Sequence, residues 1–351
     1  RGQDVFERRF PADFVSEAID QTRGWFYTLM AEGVLHFDSP TYRHVVCFEF
    51  IVDEDGRKMS KSVGNVIDPM PTMERFGADA LRWVLLTSSS PWASRRLGDS
   101  VLEEAVRRFL LTLWHVYSFF VLYANADGVD PDAGERTSPA SRSVLDRWIL
   151  SRLAGTVRDV REGMDAYDVT GAGRRIQTFV DDLSNWYVRR SRRRFWNPGG
   201  AGGEDSAAAF ETLHECLVTT ATLLAPFTPF VAEEIWSNIA ADRAGRPDSV
   251  HLADYPEVHE AIRTPRLSRR FWTRRWRWHG VWSSSAGASG PRRACGPGSP
   301  SRGRWSTCPS ARRISSSCWA SSRRKAAISR TPIARITGSF GSVLRIFSNT
   351  S

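Results

Sequence analysis

Apolar residues in the first 90 positions form short runs between polar breaks, a pattern typical of alternating strands and helices. Residues 14–19 and 44–52 predict strands, and the second run is nearly continuous in apolar residues, as in a buried strand of a parallel sheet. A helix is predicted to begin at Trp25, and most of its apolar stripe is expected to be core. The members of that stripe are Phe26, Leu29, Met30 and Val34.

Longer stretches with helical spacing follow, and they indicate a bundle of helices. The predicted helices cover residues 71–76, 78–87, 99–123, 143–164, 170–196, 207–224 and 229–240. The polar run after Thr87 ends the second of these helices and divides the chain into a first domain, 1–90, and a helical domain, 91–262. A helical domain of this length can bury a core of its own.

Residues 263–351 have a different character. From residue 264 onward the chain holds 17 Arg, 1 Lys and no Asp or Glu, together with six of its 14 Trp. Outside that tail, 30 basic residues stand against 39 acidic ones, so the net charge of +9 is no argument for nucleic-acid binding by the rest. We interpret the tail as translated out of frame, and a basic, disordered RNA-binding arm is the alternative. Translation of the source DNA in the other two frames distinguishes them.

The spacing of the cysteines and the length of the apolar runs bear on metal sites, disulfides and membrane spans. None of the five cysteines forms a Cys-x-x-Cys pair, so neither a structural zinc site nor a disulfide framework is indicated. We expect a cytoplasmic location, with no membrane span and no signal peptide. Gly171 and Gly173 begin a dinucleotide-binding pattern, but the third glycine is missing and a helix is predicted to start there, so we reject that interpretation.

The strongest chemical signal is the polar stretch that follows the predicted strand 44–52. Lys58 and Lys61 place two ammonium groups on one short loop, beside Ser60 and Ser62. A lysine is a compact charge on a long stem and suits polyphosphate oxygens, and serine hydroxyls add neutral donors. Because ligands bind at the carboxyl ends of strands in open α/β sheets, such a loop can close over a triphosphate. A solvated, mobile Lys/Ser loop is the plainer alternative.

Three stretches carry a resemblance to a known family. The run from Lys58 to Ser62, Lys-Met-Ser-Lys-Ser, together with 64–69, resembles the second ATP-binding signature of class I aminoacyl-tRNA synthetases. Residues 17–26 resemble the adenylate-binding segment of the isoleucyl enzymes, although Ala18 stands where the family more often has glycine. Residues 183–196 resemble the anticodon-domain helix of the same enzymes.

The resemblance implies an α/β fold, namely the C-terminal part of a Rossmann-like nucleotide-binding domain, followed by an all-α anticodon-binding bundle. It implies an isoleucine–tRNA ligase that uses ATP, L-isoleucine and tRNA(Ile), with Mg²⁺ accompanying ATP and no metal held by the protein itself. A monomer is expected. The 351 residues contain no His-x-Gly-His element, the first ATP-binding signature of the family. We therefore expect a fragment that gives no ATP–pyrophosphate exchange.

The resemblance also implies roles for single residues. Lys58 and Lys61 would be catalytic, and Trp25 would form a wall of the isoleucine pocket. Contacts with ATP or the adenylate are implied for Glu17, Asp20, Gln21, Met59, Ser60 and Ser62. Contacts with tRNA are implied for Arg189, Arg190, Arg192, Arg193, Arg194 and Trp196.

Several alternatives remain open on the residues alone. Asp20 could serve as an ordinary helix N-cap. The arginines of 189–194 could complement a helix C-terminus on a solvated face. The parent could be a valyl- or leucyl-type synthetase, or the chain could be a non-catalytic tRNA-binding module whose only activity lies in the bundle.

Overall fold

The computed structural model describes residues 3–133, 137–138, 141–196, 203–243 and 245–257. The strands are β1 (Ala12–Ala18), β2 (Tyr42–Phe48), β3 (Ile51–Val52) and β4 (Arg95–Arg96). The helices are α1 (Gln3–Arg9), α2 (Trp25–Phe37), α3 (Pro69–Phe76), α4 (Ala78–Thr87), α5 (Asp99–Ala105), α6 (Leu111–Asp127), α7 (Val144–Asp165), α8 (Val169–Asp182), α9 (Arg189–Phe195), α10 (Gly203–Leu224) and α11 (Pro229–Ile239). Short 3₁₀ turns lie at Ile19–Arg23 and Val250–Leu252.

Two parallel strand pairs organise the first part of the chain. β1 pairs with β2 from Ala12 opposite Tyr42 to Ala18 opposite Phe48, and β3 pairs with β4. Because β1 and β2 run parallel, the segments that follow them leave the same edge of the sheet. The predicted strand 44–52 is interrupted at Glu49, whose backbone N–H donates to the Pro91 carbonyl at 2.9 Å.

The prediction that 44–52 is a buried strand is wrong for the described residues. β2 pairs along one edge only, with β1, and Val45 is 46% exposed. The stripe on α2 is likewise only partly core, because Phe26 is buried whereas Val34 is 51% exposed. Among the described residues, Val34 and Val45 lie outside the hydrophobic core cluster, so their apolar character is not matched by burial.

The predicted helices are confirmed, and two of them contain a local irregularity. The helix predicted at 99–123 extends over Asp99–Asp127 and includes a π segment at Val106–Leu110. The helix predicted at 170–196 includes a π segment at Leu183–Val188. By length and composition alone Asp99–Asp127 could cross a membrane, but its buried side chains belong to the core of the bundle, and core helices pass the same test.

Helix α4 is built into the core of the helical bundle. Trp83 stacks on Phe109 with ring centroids 3.7 Å apart, and the core that contains both rings extends through α6, α7, α8, α10 and α11. Asp79 accepts backbone N–H bonds from Val231 (2.7 Å) and Phe230 (3.4 Å) at the start of α11. Polar side chains of α4 and apolar packing therefore join the first part of the chain to the bundle.

The glycine pair that resembles a dinucleotide fingerprint serves helix packing instead. A Cβ atom on Gly173 would lie 2.4 Å from Thr87 Cγ2 and 3.3 Å from a ring carbon of Phe227. Next to it, Arg174 donates to the Thr87 and Ser88 carbonyls at the end of α4. Only glycine allows α8 to approach α4 this closely.

We expect Gly173→Ala to lower the free energy of unfolding by about 1–3 kcal/mol, because the new methyl group overpacks the α4–α8 contact. Gly155→Ala on α7 is the matched control, since a Cβ there meets nothing within 4 Å. That control should gain up to about 1 kcal/mol from helix propensity. Urea unfolding of both variants measures the difference, and equal stabilisation by the two alanines would contradict the packing argument.

Candidate active site and nucleic-acid interface

The lysine loop, residues 53–68, begins where β3 ends and leads into α3. Its first part is a tight turn, in which the Asp53 N–H donates to the Arg57 carbonyl at 3.0 Å and Lys58 forms an antiparallel bridge with Val52. At its end, Asp68 accepts the Met70 N–H at 3.0 Å and caps α3. The predicted position of the loop at the carboxyl end of a strand is confirmed.

Asp53 and Asn65 brace the two arms of the loop. The Asn65 amide donates to Asp53 Oδ2 at 2.8 Å and to the Lys58 carbonyl at 3.3 Å, and it accepts the Ser60 N–H at 2.9 Å. The Asn65 amide, followed by the backbone N–H of Arg57, lowers the pKa of the Asp53 carboxyl. Asn65 therefore holds the two arms of the loop together.

The candidate phosphate-binding residues lie on this braced loop. Lys58 and Lys61 are exposed, and Lys58 Nζ lies 4.6 Å from the centroid of the Phe50 ring. The hydroxyls of Ser60 and Ser62 are 3.2 Å apart. Met59 packs against the hydrophobic core, which anchors the loop between the two lysines. The arrangement presents two cations and two hydroxyls on one short stretch after β3.

The candidate adenylate segment lies at the carboxyl end of β1 and continues into α2. Gln21 Oε1 accepts the Trp25 N–H at 2.9 Å, so Gln21 rather than Asp20 satisfies a free donor at the start of α2. The alternative that Asp20 caps this helix is therefore wrong. Asp20 and Glu17 are both exposed, and Glu17 Oε2 lies 3.3 Å from the Ala18 nitrogen.

Trp25 lies at the start of α2 with 45% of its surface exposed and its ring 5.8 Å from that of Phe26. A cavity of about 490 Å³ occurs elsewhere, in the bundle, and none of the candidate residues lines it. Its wall includes Val218, Trp236, Arg246 and Leu252. The role of Trp25 as a wall of the isoleucine pocket therefore stays a prediction.

One face of the third long helix, residues 169–195, carries three of the six candidate tRNA-binding residues. Trp186, Arg189, Arg190 and Arg193 follow a three- and four-residue spacing, and the three arginines are exposed. The Arg190 guanidinium lies 4.5 Å from the centroid of the Trp186 ring. Arg192 is exposed beside this face, and Trp196, just past the helix, is 51% exposed. We call Trp186, Arg189, Arg190 and Arg193 the arginine face.

Arg194 does not belong to the arginine face, which corrects its assignment as a tRNA contact. Its guanidinium donates twice to Asp146, at 2.7 Å each, and once through Nε to Asp205 at 2.9 Å. Asp146 is fully buried, and the Tyr187 hydroxyl donates to it at 2.7 Å. Burial alone would raise the pKa of Asp146, but the bonds from Arg194 and Tyr187 hold it below its usual value.

No group of three or more His, Cys, Asp or Glu side chains arranged for a metal ion occurs among the described residues. The two cysteines in that part of the chain, Cys47 and Cys216, are free thiols. Burial raises the pKa of the Cys216 thiol, so it is a packing residue and not a nucleophile.

Comparison with known proteins agrees with this geometry. The family model for "tRNA synthetases class I (I, L, M and V)" matches residues 2–96. The model for the "Anticodon-binding domain of tRNA ligase" matches residues 146–275. An isoleucine–tRNA ligase of Thermobifida fusca is 51% identical over 272 residues, and one of Deinococcus radiodurans is 48% identical over 270 residues. Over the aligned residues, the chain corresponds to a part of an isoleucine–tRNA ligase. Each alignment covers 77% of this chain but only 25% and 24% of the relatives, so the chain spans about a quarter of their length.

Two solved aminoacyl-tRNA synthetase structures share the fold of this chain. A LeuRS–tRNA–LeuAMS ternary complex from Agrobacterium radiobacter has a TM-score of 0.55 and 23% identity, covering 72% of this chain and 29% of that one. Mycobacterium tuberculosis methionyl-tRNA synthetase bound by Met-AMP has a TM-score of 0.54 and 24% identity, covering 67% and 45%. The predicted order, the end of a class I nucleotide-binding domain followed by an anticodon-binding bundle, is confirmed. The predicted tail, 263–351, lies outside the described residues.

Two residues that shape the candidate sites have no role in the sequence analysis. Asp53 braces the lysine loop, and Asp146 holds Arg194 beside the arginine face. The Asp53–Asn65 contact spans 12 positions and the Asp146–Arg194 contact spans 48. No spacing rule for a single helix or strand covers such separations. The Ser-x-x-Asp pattern at Ser143 was the one local signal, and it marks a capping box at the start of α7.

Proposed function

We propose that this chain supplies the phosphate-binding loop and the tRNA-binding bundle of an isoleucine–tRNA ligase. One observation carries the proposal. β1 and β3 each belong to a parallel strand pair, and the segment 17–26 and the lysine loop lie at their carboxyl ends, the position at which ligands bind in open α/β sheets. The similarity to isoleucine–tRNA ligases gives these two segments their chemistry.

The proposed reaction has two steps. A carboxylate oxygen of isoleucine attacks the α-phosphorus of ATP, the bond to the β-phosphate breaks, and pyrophosphate leaves with the bonding electrons. A ribose hydroxyl of the tRNA then attacks the acyl carbon and releases AMP. Mg²⁺ enters with ATP as part of the substrate. Lys58 and Lys61 stabilise the negative charge that grows on the departing pyrophosphate.

The remaining candidate residues hold the substrates. Asp20 and Glu17 are exposed carboxylates beside the sheet edge and are suited to hydroxyl groups such as those of a ribose. Gln21 already uses its oxygen on the Trp25 N–H, which leaves its amide nitrogen for a ligand. Trp25 provides rigid apolar surface for an aliphatic side chain. Such surface separates isoleucine from valine by only about 1–3 kcal/mol.

The arginine face is the proposed contact for tRNA(Ile). Exposed guanidinium groups on one side of a helix bind phosphates, and the Arg190–Trp186 pair offers a flat surface on which an unpaired base can stack. The same face supports the second candidate function, a tRNA-binding module without catalysis. Binding of phosphates by the lysine loop distinguishes the two functions.

We expect the double variant Lys58→Ala/Lys61→Ala to bind MgATP about 100–10,000-fold more weakly than the unmodified chain. Each lysine lost removes a charge-assisted contact of about 1.5–3 kcal/mol. Calorimetric titration of the 351-residue chain measures the change. Arg43→Ala on β2 is the control, because Arg43 is exposed and its nearest acid is Asp13 at 3.7 Å. Equal affinity of the lysine variant and the unmodified chain for MgATP would contradict phosphate binding by the lysine loop. The second candidate function, a tRNA-binding module without catalysis, would then be favoured.

A further inference from the structure

Glu54 joins the lysine loop to the helical bundle. Its Oε1 atom accepts the backbone N–H of Ser100 at 2.7 Å and the Ser100 hydroxyl at 2.8 Å. Ser100 lies in the first turn of α5, which begins the helix Asp99–Asp127. Residues 54 and 100 are 46 positions apart, so this contact exists only in the folded chain.

The helix needs the contact that Glu54 makes. Gly98, in the N-cap position of α5, has no side chain to accept the free N–H groups of the first turn. A carboxylate at a helix N-terminus satisfies one of those donors and interacts favourably with the helix dipole. Glu54 therefore provides, from the lysine loop, the cap that the local sequence of the helix lacks.

The glycine at position 98 makes room for this cap. A Cβ atom on Gly98 would lie 2.0 Å from Glu54 Cγ and 2.3 Å from Glu54 Oε1. Any side chain there would displace Glu54 from Ser100. On the loop side, Gly56 has φ +83° and lies against the Arg96 guanidinium of β4, so the turn that carries Glu54 is packed at a second point.

The cap is connected to the lysines through the brace described above. Asp53, the neighbour of Glu54, accepts from the Asn65 amide, and Asn65 accepts the Ser60 N–H between the two lysines. At its far end, the helix Asp99–Asp127 packs Phe119 against Phe195, with ring centroids 5.2 Å apart. Glu54 thus fixes the base of the loop to a helix that is anchored in the bundle.

We propose that Glu54 is a positioning residue that holds Lys58 and Lys61 in place for the phosphates of ATP. The inference rests on the proposed function of the lysine loop, but the tie itself can be tested without any ligand. Loss of the tie should increase local opening of the loop while the bundle remains folded.

Limited trypsin digestion of the 351-residue chain tests the tie, because trypsin cleaves after Lys58 and Lys61. Cleavage at both sites, followed by mass spectrometry, should be about fivefold faster in Glu54→Ala, as expected for the loss of one helix cap. Glu54→Gln keeps an acceptor oxygen and should cleave at close to the original rate. Gly98→Ala, which leaves Glu54 in the chain but displaces it, should cleave as fast as Glu54→Ala.

Two controls separate positioning from general instability. Glu103→Ala removes another exposed carboxylate of the same helix and should leave the cleavage rate at Lys58 and Lys61 unchanged. The thermal midpoint of Glu54→Ala should stay within a few degrees of the original, since the core is untouched. If Glu54→Ala and Gly98→Ala both cleave like the unmodified chain, the proposal is overturned.

Magnesium pyrophosphate, added to the same digestion, tests the underlying function separately. If the lysine loop binds phosphates, pyrophosphate should slow cleavage of the unmodified chain and do so less in Glu54→Ala. Protection that is equal in both would overturn the positioning role. Faster cleavage of Glu54→Ala without protection of either chain would keep the tie but overturn the phosphate-binding function of the loop.

Discussion

Replacement of Arg194 by alanine is expected to lower the free energy of unfolding by about 3–5 kcal/mol, the usual loss when one partner of a buried ion pair is removed. The Asp146 carboxylate is fully buried, and Arg194 makes two 2.7 Å bonds to it. Without the guanidinium, that charge keeps only the Tyr187 hydroxyl and the Ser143 backbone N–H as donors. Chemical denaturation of the variant measures the loss.

Arg193→Ala is the matched control one position earlier in the same helix. Because Arg193 is exposed, its removal should change the unfolding free energy by no more than about 0.5 kcal/mol. It should instead weaken tRNA binding and reduce the slope of log affinity against log salt by about 0.7–0.9, the value for one lost phosphate contact. A stable, fully folded Arg194→Ala variant with the same RNA defect would contradict the division of the arginine run into two roles.

The Asp79→Asn variant is expected to gain stability relative to the unmodified chain as the pH rises from 3.8 through 6. Burial raises the pKa of Asp79 to about 6, although the N–H groups of Val231 and Phe230 act in the opposite direction. A carboxyl with a raised pKa stabilises the fold below pH 3.8, and that contribution is lost as pH passes 6. The shift corresponds to about 3 kcal/mol.

Urea unfolding of both chains at several pH values measures this difference. Asp79→Ala serves as a second variant, because it also lacks the titrating group but leaves the N–H groups of Val231 and Phe230 without an acceptor. Its curve should be parallel to that of Asp79→Asn and lower by about 1–2 kcal/mol, as for a lost helix cap. Curves of the unmodified chain and Asp79→Asn that stay parallel over the whole range would contradict the raised pKa.

Asp79 and Glu54 show how the two parts of the chain are joined. Each is an acid from the first part that accepts N–H groups at the start of a helix in the bundle, and neither helix has a side-chain cap from its own N-cap residue. In return, Thr170 and Arg174 of the bundle donate to the carbonyls at the end of α4. Helix ends that the local sequence leaves unsatisfied are thus completed across the junction.

Periodicity was sufficient for the elements and for the position of the lysine loop. The helices of the bundle are long and strongly periodic, so their existence could be predicted from apolar spacing, with boundary shifts of a few residues. The strand at 44–52 was harder, because its apolar run indicates burial, whereas Val45 is half exposed in the described part of the chain. An apolar composition shows that a strand can be buried. Whether the strand is buried depends on the elements that pack against it.

Local chemistry in the sequence was enough to predict Lys58, Lys61 and the arginine run as candidate sites for anions, since charge and spacing are properties of neighbouring residues. The exposure of each arginine, the capping of each helix and the bracing of the loop depend on partners 12 to 152 positions away. Those contacts form only when the chain packs, because burial removes water and obliges each buried charge and free N–H to find a partner. Tertiary structure therefore separated Arg194 from its neighbours and made Glu54 part of the lysine loop.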